Sequence, residues 1–175
     1  MLRKIISLFL ITISILIIIY DKNQIINEIE KIDTIINNSK LNSKYDGYIY
    51  IPKLNYRNVI SIGNENEILD KNIVLMISKK EVINNKVGNI ILAGHNNKYV
   101  FNKLYKLNIN DEIIISDFNN KYSFTVQKEE YINIKNKQIL DNIYNDKILT
   151  LITCTYDNQI RYVVTAKLNH IISHN

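Results

Sequence analysis

The sequence predicts a mainly β protein: a closed or partly closed barrel of about eight short strands with short helices, preceded by an N-terminal transmembrane helix and a stalk helix. Three observations carry that reading. Residues 5–20 form an uncharged run made mostly of Ile and Leu. The stretch that follows repeats isoleucine at helical spacing. From Gly47 onward, short runs rich in Ile, Val, Tyr and Thr are broken by clusters of Asn, Asp, Gly and Lys.

The apolar run lies between Arg3-Lys4 and Asp21-Lys22. Its helix is roughly 24 Å long at about 1.5 Å per residue, slightly under a hydrocarbon core of about 30 Å. Leu2 and a snorkelling Lys4 can cover the shortfall. A cleaved signal peptide usually ends in small residues, whereas this run ends Ile-Tyr-Asp-Lys-Asn. Residues 1–21 therefore read as a retained single-pass anchor. Its leading basic residues put the N-terminus in the cytoplasm and the remainder outside.

Residues 22–46 read as an amphipathic stalk, with Ile25, Ile29, Ile32 and Ile36 on one helical face. Residues 47–175 read as the barrel domain. Strands are expected at Tyr48–Ile51, Val59–Ile62, Ile73–Ile77 and Asn89–Ala93, then at Glu112–Ser116, Tyr122–Val126, Ile148–Thr153 and Arg161–Leu168. Helical turns are expected near Val100–Lys106 and Lys137–Ile143. Pro52, the only proline, follows the first strand, where a ladder N–H is expendable.

A chain of 175 residues suits one domain plus a short extra segment. It carries 22 Lys and Arg against 17 Asp and Glu, a net charge of +5. No basic stripe interleaved with aromatics accompanies that excess, so nucleic acid is not an expected partner. An anionic membrane or cell wall suits it better. One cysteine allows neither an internal disulfide nor a cysteine zinc cluster. No metal or other cofactor is expected; calcium dependence stays open, though no dense carboxylate loop of the EF-hand type indicates it.

The chemistry centres on that single cysteine. The run Ile148–Thr153 leads straight into Cys154, and Arg161 opens the next run after a short loop. A hairpin would set Cys154 and Arg161 across from one another, with Cβ atoms about 5 Å apart. A nearby cation favours the thiolate, and arginine's donor fork suits an oxyanion. Only three of the basic residues are arginines, which makes Arg161 less ordinary as filler. The proton shuttle should be a histidine. His174 lies in the terminal tail and His170 at the end of the last run. His95 follows Ile90–Gly94, at the end of a buried-looking strand, and is the candidate.

At these residues the chain resembles the sortases, the Gram-positive cysteine transpeptidases. Leu92-Ala-Gly-His-Asn96 resembles the family's histidine segment, and Thr150-Leu-Ile-Thr-Cys154 resembles its TLxTC signature, with Arg161 at the family's spacing. Gly47–Leu54 resembles the opening strand, and Phe101–Leu107 with Asp111-Glu-Ile resembles the segment after the histidine. The resemblance covers residues 47–168. It implies an eight-stranded sortase barrel in which Cys154 is the nucleophile, His95 the general acid/base and Arg161 the support for substrate and oxyanion. Thr153, inside the signature, is a substrate-binding candidate. The implied substrates are secreted proteins with a C-terminal LPxTG-like sorting motif, cleaved through a thioacyl enzyme. The implied acceptor is an amine of cell-wall precursor, or of a pilin in a pilin-polymerising member. Asn96 and Thr155-Tyr-Asp157 resemble class B members, while the short N-terminal region and compact barrel resemble class D. In a class D-like enzyme, Glu129–Lys147 would carry the loop that reads the sorting motif.

Three other readings compete. A papain-like enzyme sets its cysteine on a helix, whereas here the lead-in reads as a strand. An L,D-transpeptidase keeps histidine and cysteine close in sequence, whereas here they lie 59 residues apart. In a membrane-tethered, non-catalytic adhesion or binding barrel, Cys154 would be a core residue.

Overall fold

The computed structural model describes residues 2–42, 45–63, 73–78, 83, 85–136, 145–157 and 159–173. Anchor and stalk are one continuous helix, α1 (Leu2–Asn42). The stretch contains neither Gly nor Pro, so nothing in it breaks the helix. Within it, Ile6–Gln24 has a mean hydropathy of 1.7, is not buried, and is long and apolar enough to cross a membrane.

The later turns of α1 dock on the barrel. Arg57 Nη1 donates to Asp33 Oδ1 at 3.0 Å, and the guanidinium lies 4.6 Å from the centre of the Tyr50 ring. The Asp33 carboxylate raises the Arg57 pKa further, despite some opposing desolvation. Both side chains are well exposed, so the ion pair itself contributes about 1 kcal/mol or less. Ile32 and Ile35 add apolar contact, lining a cavity of about 380 Å³ with Leu54, Tyr56 and Val59.

Eight strands follow: β1 (Gly47–Ile51), β2 (Tyr56–Ser61), β3 (Val74–Met76), β4 (Gly88–Gly94), β5 (Glu112–Ser116), β6 (Asn120–Asn133), β7 (Lys147–Cys154) and β8 (Ile160–Ser173). They close in the order β1-β2-β3-β4-β7-β8-β6-β5, with β5 returning to β1. The contacts β2–β3 and β4–β7 are parallel and the others antiparallel. Pro52 opens a 3₁₀ turn to Leu54, and Asn55 takes a positive φ of 44° to start β2. Asparagine tolerates that left-handed region better than most residues. The core fills with alternate residues of each strand, among them Ile49, Ile90, Leu92, Phe124, Leu149, Leu151 and Val164.

The strands depart from the sequence pattern at their ends. Expected to end at Val126 and Leu168, β6 and β8 run on to Asn133 and Ser173. They pair with each other along most of their length, with register shifts between Ser123 and Phe124 and between Val126 and Lys128. Backbone pairing sustains them where the side chains are polar and exposed, as at Gln127-Lys128-Glu129. Residues 129–133 of the expected recognition loop are therefore strand. Lys147 at its other end begins β7. The expected helical turn at Lys137–Ile143 lies outside the described residues. That near Val100–Lys106 is present as turns ending in a 3₁₀ segment, Leu104–Lys106.

Lys147 is buried, only 4% exposed. Its Nζ donates to the Ile83 carbonyl and sits 4.4 Å from the centre of the Tyr122 ring. Burial lowers its pKa.

Candidate active site

Strands β4 and β7 run side by side in parallel, with Gly94 aligned to Thr153. Thr153 Oγ1 donates to the Gly94 carbonyl at 2.8 Å, tying the two strand ends together. One residue further along each strand stand His95 and Cys154. Across β7 and β8, Cys154 and Arg161 are register partners. The hairpin expected from the sequence is thus present.

Strand alternation tells which way these residues face. Leu149 and Leu151 of β7, Ile90 and Leu92 of β4, and Val164 and Ala166 of β8 belong to the core. Cys154 and Arg161 have the opposite parity and share the outer face of the sheet. Continuing β4 by one residue gives His95 that face too. Neighbouring strands are about 4.8 Å apart, so histidine, cysteine and arginine form one row across three strands. Each is partly buried. Ala93 and Ile152, aligned and partly buried, precede His95 and Cys154 as an apolar floor on that face.

Local structure fixes the segment after His95. The Phe101 N–H donates to the His95 carbonyl at 2.9 Å, and Asn97 Oδ1 accepts from the N–H groups of Tyr99 and Val100. Phe101 then packs into the core, 1% exposed. A Cβ on Gly94 would lie 2.5 Å from Val100 Cγ1 and 2.8 Å from Phe101 Cδ2. Glycine is what permits this close return.

The loop after Cys154 is also held. Thr155 Oγ1 donates to the Asp157 carbonyl at 2.8 Å, and Asp157 Oδ1 accepts the Gln159 N–H at 2.8 Å. Arg161 Nη1 donates to the Ile160 carbonyl at 3.2 Å. Cys154 is a free thiol.

Cys154 also borders a cleft of about 390 Å³. Phe101, Tyr105, Tyr131, Tyr156 and Tyr162 supply its aromatic walls, and Asn96, Asn102 and Asp157 its polar ones. The Tyr131 and Tyr162 rings are 5.0 Å apart. The Tyr162 hydroxyl donates to Glu129 Oε2; burial, then this carboxylate, raise its pKa. Among the described residues, neither cysteine nor histidine lines the comparable cavity under α1.

The sortase domain family matches residues 49–169, more than half of the chain. The chain belongs to the sortase family. Solved sortases share its fold. Sortase A from Listeria monocytogenes is 25% identical with a TM-score of 0.66, over 75% of this chain and 91% of that one. Sortase C1 from Streptococcus agalactiae is 22% identical with a TM-score of 0.67, over 86% and 91%. Sortase E1 from Streptomyces coelicolor, solved with a tripeptide in its active site, is 23% identical with a TM-score of 0.66, over 74% and 90%. A comparison with curated proteins gives no match.

In this sortase barrel, the four candidates read from the sequence, Cys154, His95, Arg161 and Thr153, come together at one end of β4, β7 and β8. Thr153 has inward parity, and its hydroxyl is spent on Gly94. His170 is exposed on β8 opposite Ser123, nine residues beyond Arg161 and so roughly 30 Å along the strand. His174 lies outside the described residues. Sequence reasoning missed the aromatic cleft. Tyr156 and Asp157 gave a signal by following Cys154 so closely, whereas Phe101, Tyr131 and Tyr162 are scattered along the chain and meet only through barrel closure.

Proposed function

We propose that this sortase is a cysteine transpeptidase of the outer membrane face, cleaving an LPxTG-like sorting signal through a thioacyl intermediate on Cys154. The alignment of Cys154 beside His95 and opposite Arg161, on one face of three adjacent strands, is the observation that carries this reading. Acyl transfer needs a nucleophile, a proton carrier and an oxyanion donor within reach of one carbonyl.

An extended sorting peptide would run over the Ala93–Ile152 floor towards the thiol. The Cys154 thiolate attacks the scissile carbonyl, forming a C–S bond. Arg161 turns its fork from Ile160 to the developing oxyanion. His95 gives its proton to the departing amine as the C–N bond breaks. An acceptor amine then attacks the thioester, a new C–N bond forms, and sulfur leaves as thiolate. His95 takes a proton from the attacking nitrogen. The acceptor is an amine of cell-wall precursor. Thr153, the substrate-binding candidate of the sequence, serves as a positioning residue that ties the strand ends bearing Cys154 and His95. The compact barrel on a single helix supports a class D-like assignment. The Ile6–Gln24 stretch supports a single-pass anchor, with Arg3 and Lys4 on the cytoplasmic side.

The test is mass spectrometry of the full chain in detergent micelles, mixed with a broad set of LPxTG-type peptides and an amine. Cleavage is expected together with a thioacyl adduct on Cys154, and both should vanish in Cys154→Ala and His95→Ala. Absence of both from the unsubstituted chain across the whole set would sink the reading.

A further inference from the structure

We propose that the cavity between α1 and the barrel is a binding site for the headgroup of an anionic phospholipid in the adjoining membrane leaflet. The inference rests on the anchor reading of α1 and is independent of the chemistry at Cys154.

The cavity has a volume of about 380 Å³, within the roughly 300–1,000 Å³ of small-molecule sites. Ile32 and Ile35 line it from the helix, and Leu54, Val59 and Leu104 from the barrel. One polar atom is buried among these apolar walls. The Tyr56 hydroxyl makes no hydrogen bond among the described residues. Burial, against a weaker opposing influence of the Asn58 side chain, raises its pKa above the ordinary phenol value, so it stays a donor. A buried hydroxyl without a partner is costly, and a ligand oxygen in the cavity would supply one.

Charge gives the class of occupant. Lys31, Arg57, Lys98 and Lys103 line the cavity, and neither aspartate nor glutamate does so among the described residues. Asp33 already holds Arg57, so the three lysines, all exposed, are the groups a phosphate would meet. They come from both sides, Lys31 from α1 and the other two from the turns after β4. An anion seated between them would offset their mutual repulsion.

Position gives the source of that anion. Lys31 stands roughly 10 Å along α1 from Gln24, where the apolar stretch ends. Lys98 lies lower: the Tyr99 side chain first, then the charge of Asp21, raise its pKa. With Ile6–Gln24 in a bilayer, the cavity mouth opens towards the headgroup layer, which extends roughly 5–8 Å beyond the hydrocarbon. A lipid phosphate is abundant there, and lysines close to an anionic surface are drawn to it. The ester-bearing carbons beside that phosphate suit the apolar walls, which a soluble anion would leave empty. Lys98 and Tyr99 belong to the turn that leads out of His95, so an occupied site would hold that end of the barrel against the membrane.

The experiment uses the full chain in neutral detergent micelles doped with phosphatidylglycerol. Native mass spectrometry counts the lipids retained against their mole fraction. One phosphatidylglycerol should be retained, and phosphatidylcholine with the same acyl chains at least tenfold more weakly. Lys31→Gln and Lys98→Gln, on opposite sides of the cavity, should each raise the half-saturating mole fraction about two- to fivefold. Lys86→Gln, exposed before the other end of β4, should leave it unchanged. Without lipid, Tyr56→Phe should melt no lower than the unsubstituted chain, because it removes an unpaired hydroxyl. Its gain in melting temperature on adding phosphatidylglycerol should be smaller. Equal retention of both lipids would overturn the proposal, as would an equal loss in Lys86→Gln. Displacement of the lipid by glycerol phosphate at matching concentration would overturn it too, because the apolar walls would then contribute nothing. A concentration-dependent dimer that phosphatidylglycerol leaves intact would assign the cavity to a second copy of the chain. A full chain that stays soluble without detergent would overturn the anchor reading and this site with it.

Discussion

The Thr153 hydroxyl donates to the Gly94 carbonyl across the parallel β4–β7 contact, one residue before Cys154 on one strand and His95 on the other. This buried bond ties together the strand ends that carry the proposed nucleophile and base. Thr153→Val keeps the shape and removes the donor. Loss of such a bond costs about 1–3 kcal/mol when it strands a buried acceptor. Misalignment of the two reacting groups should lower the acylation rate roughly ten- to a hundredfold. Thr153→Ser should restore most of it. Stopped-flow acylation alongside a thermal melt separates the two effects.

Gly94→Ala should act through packing. The added Cβ meets Val100 Cγ1 and Phe101 Cδ2 inside contact distance, and both belong to the core. Overpacking of this kind costs about 1–3 kcal/mol. A lower melting temperature is expected, together with slower acylation, because the strain falls on the turn that carries His95. A variant as stable and active as its parent would show that Phe101 can give way.

Arg161→Lys keeps the charge and loses the fork. Once turned from the Ile160 carbonyl, the guanidinium offers an oxyanion paired donors in a fixed plane, which a single ammonium cannot. Turnover should fall roughly a hundredfold or more, as for loss of an oxyanion donor. Cys154 should still be alkylated by a neutral thiol reagent. Full activity in the lysine variant would remove the fork from the mechanism.

Lys147 should make stability depend on pH in an unusual direction. Burial lowers its folded pKa, so between that value and the unfolded one the unfolded chain binds the extra proton. Stability contributed at this site therefore rises with pH up to about 10.4. Lys147→Met removes the effect and preserves most of the volume. Any stability advantage of the methionine variant at pH 7 should shrink as the pH approaches 10, by thermal melts in matched buffers. Above about pH 10, Tyr122 opposes the trend. Burial, then Asp117, push its pKa up to about 12, so its stabilising contribution is lost as the pH rises through that range.

The candidate site was legible because its central part is local. Cys154 and Arg161 are joined by a short loop, and antiparallel strands joined that way must pair. His95 was read from its position at a strand end, but its neighbour was not legible. The β4–β7 contact is parallel and joins residues 59 apart, with β5 and β6 between them in sequence. No local pattern encodes such pairing. Strand interiors such as Ile148–Thr153 announced themselves by composition, whereas the outer halves of β6 and β8 did not. Gln127–Glu129 and Asn169–His170 are polar, and the β6–β8 pairing, more than any apolar packing, keeps these stretches extended. The join between anchor and stalk was missed for the converse reason. Polarity changes there, but nothing in the backbone does.

That uninterrupted helix sets how this enzyme meets its substrates. Asp33, clamped to β2, stands only about 14 Å along the axis from the end of the apolar stretch at Gln24. With those apolar turns in a bilayer, the barrel is held close above the lipid on a stiff, short tether. Encounter with a substrate tethered in the same bilayer would then become a search over an area instead of a volume. Local concentration, set by linker length and geometry, then governs turnover alongside intrinsic affinity. For the sorting-signal substrate proposed above, a weak grip would suffice in the membrane, and the same barrel cut loose from α1 should need far more peptide to work at the same rate.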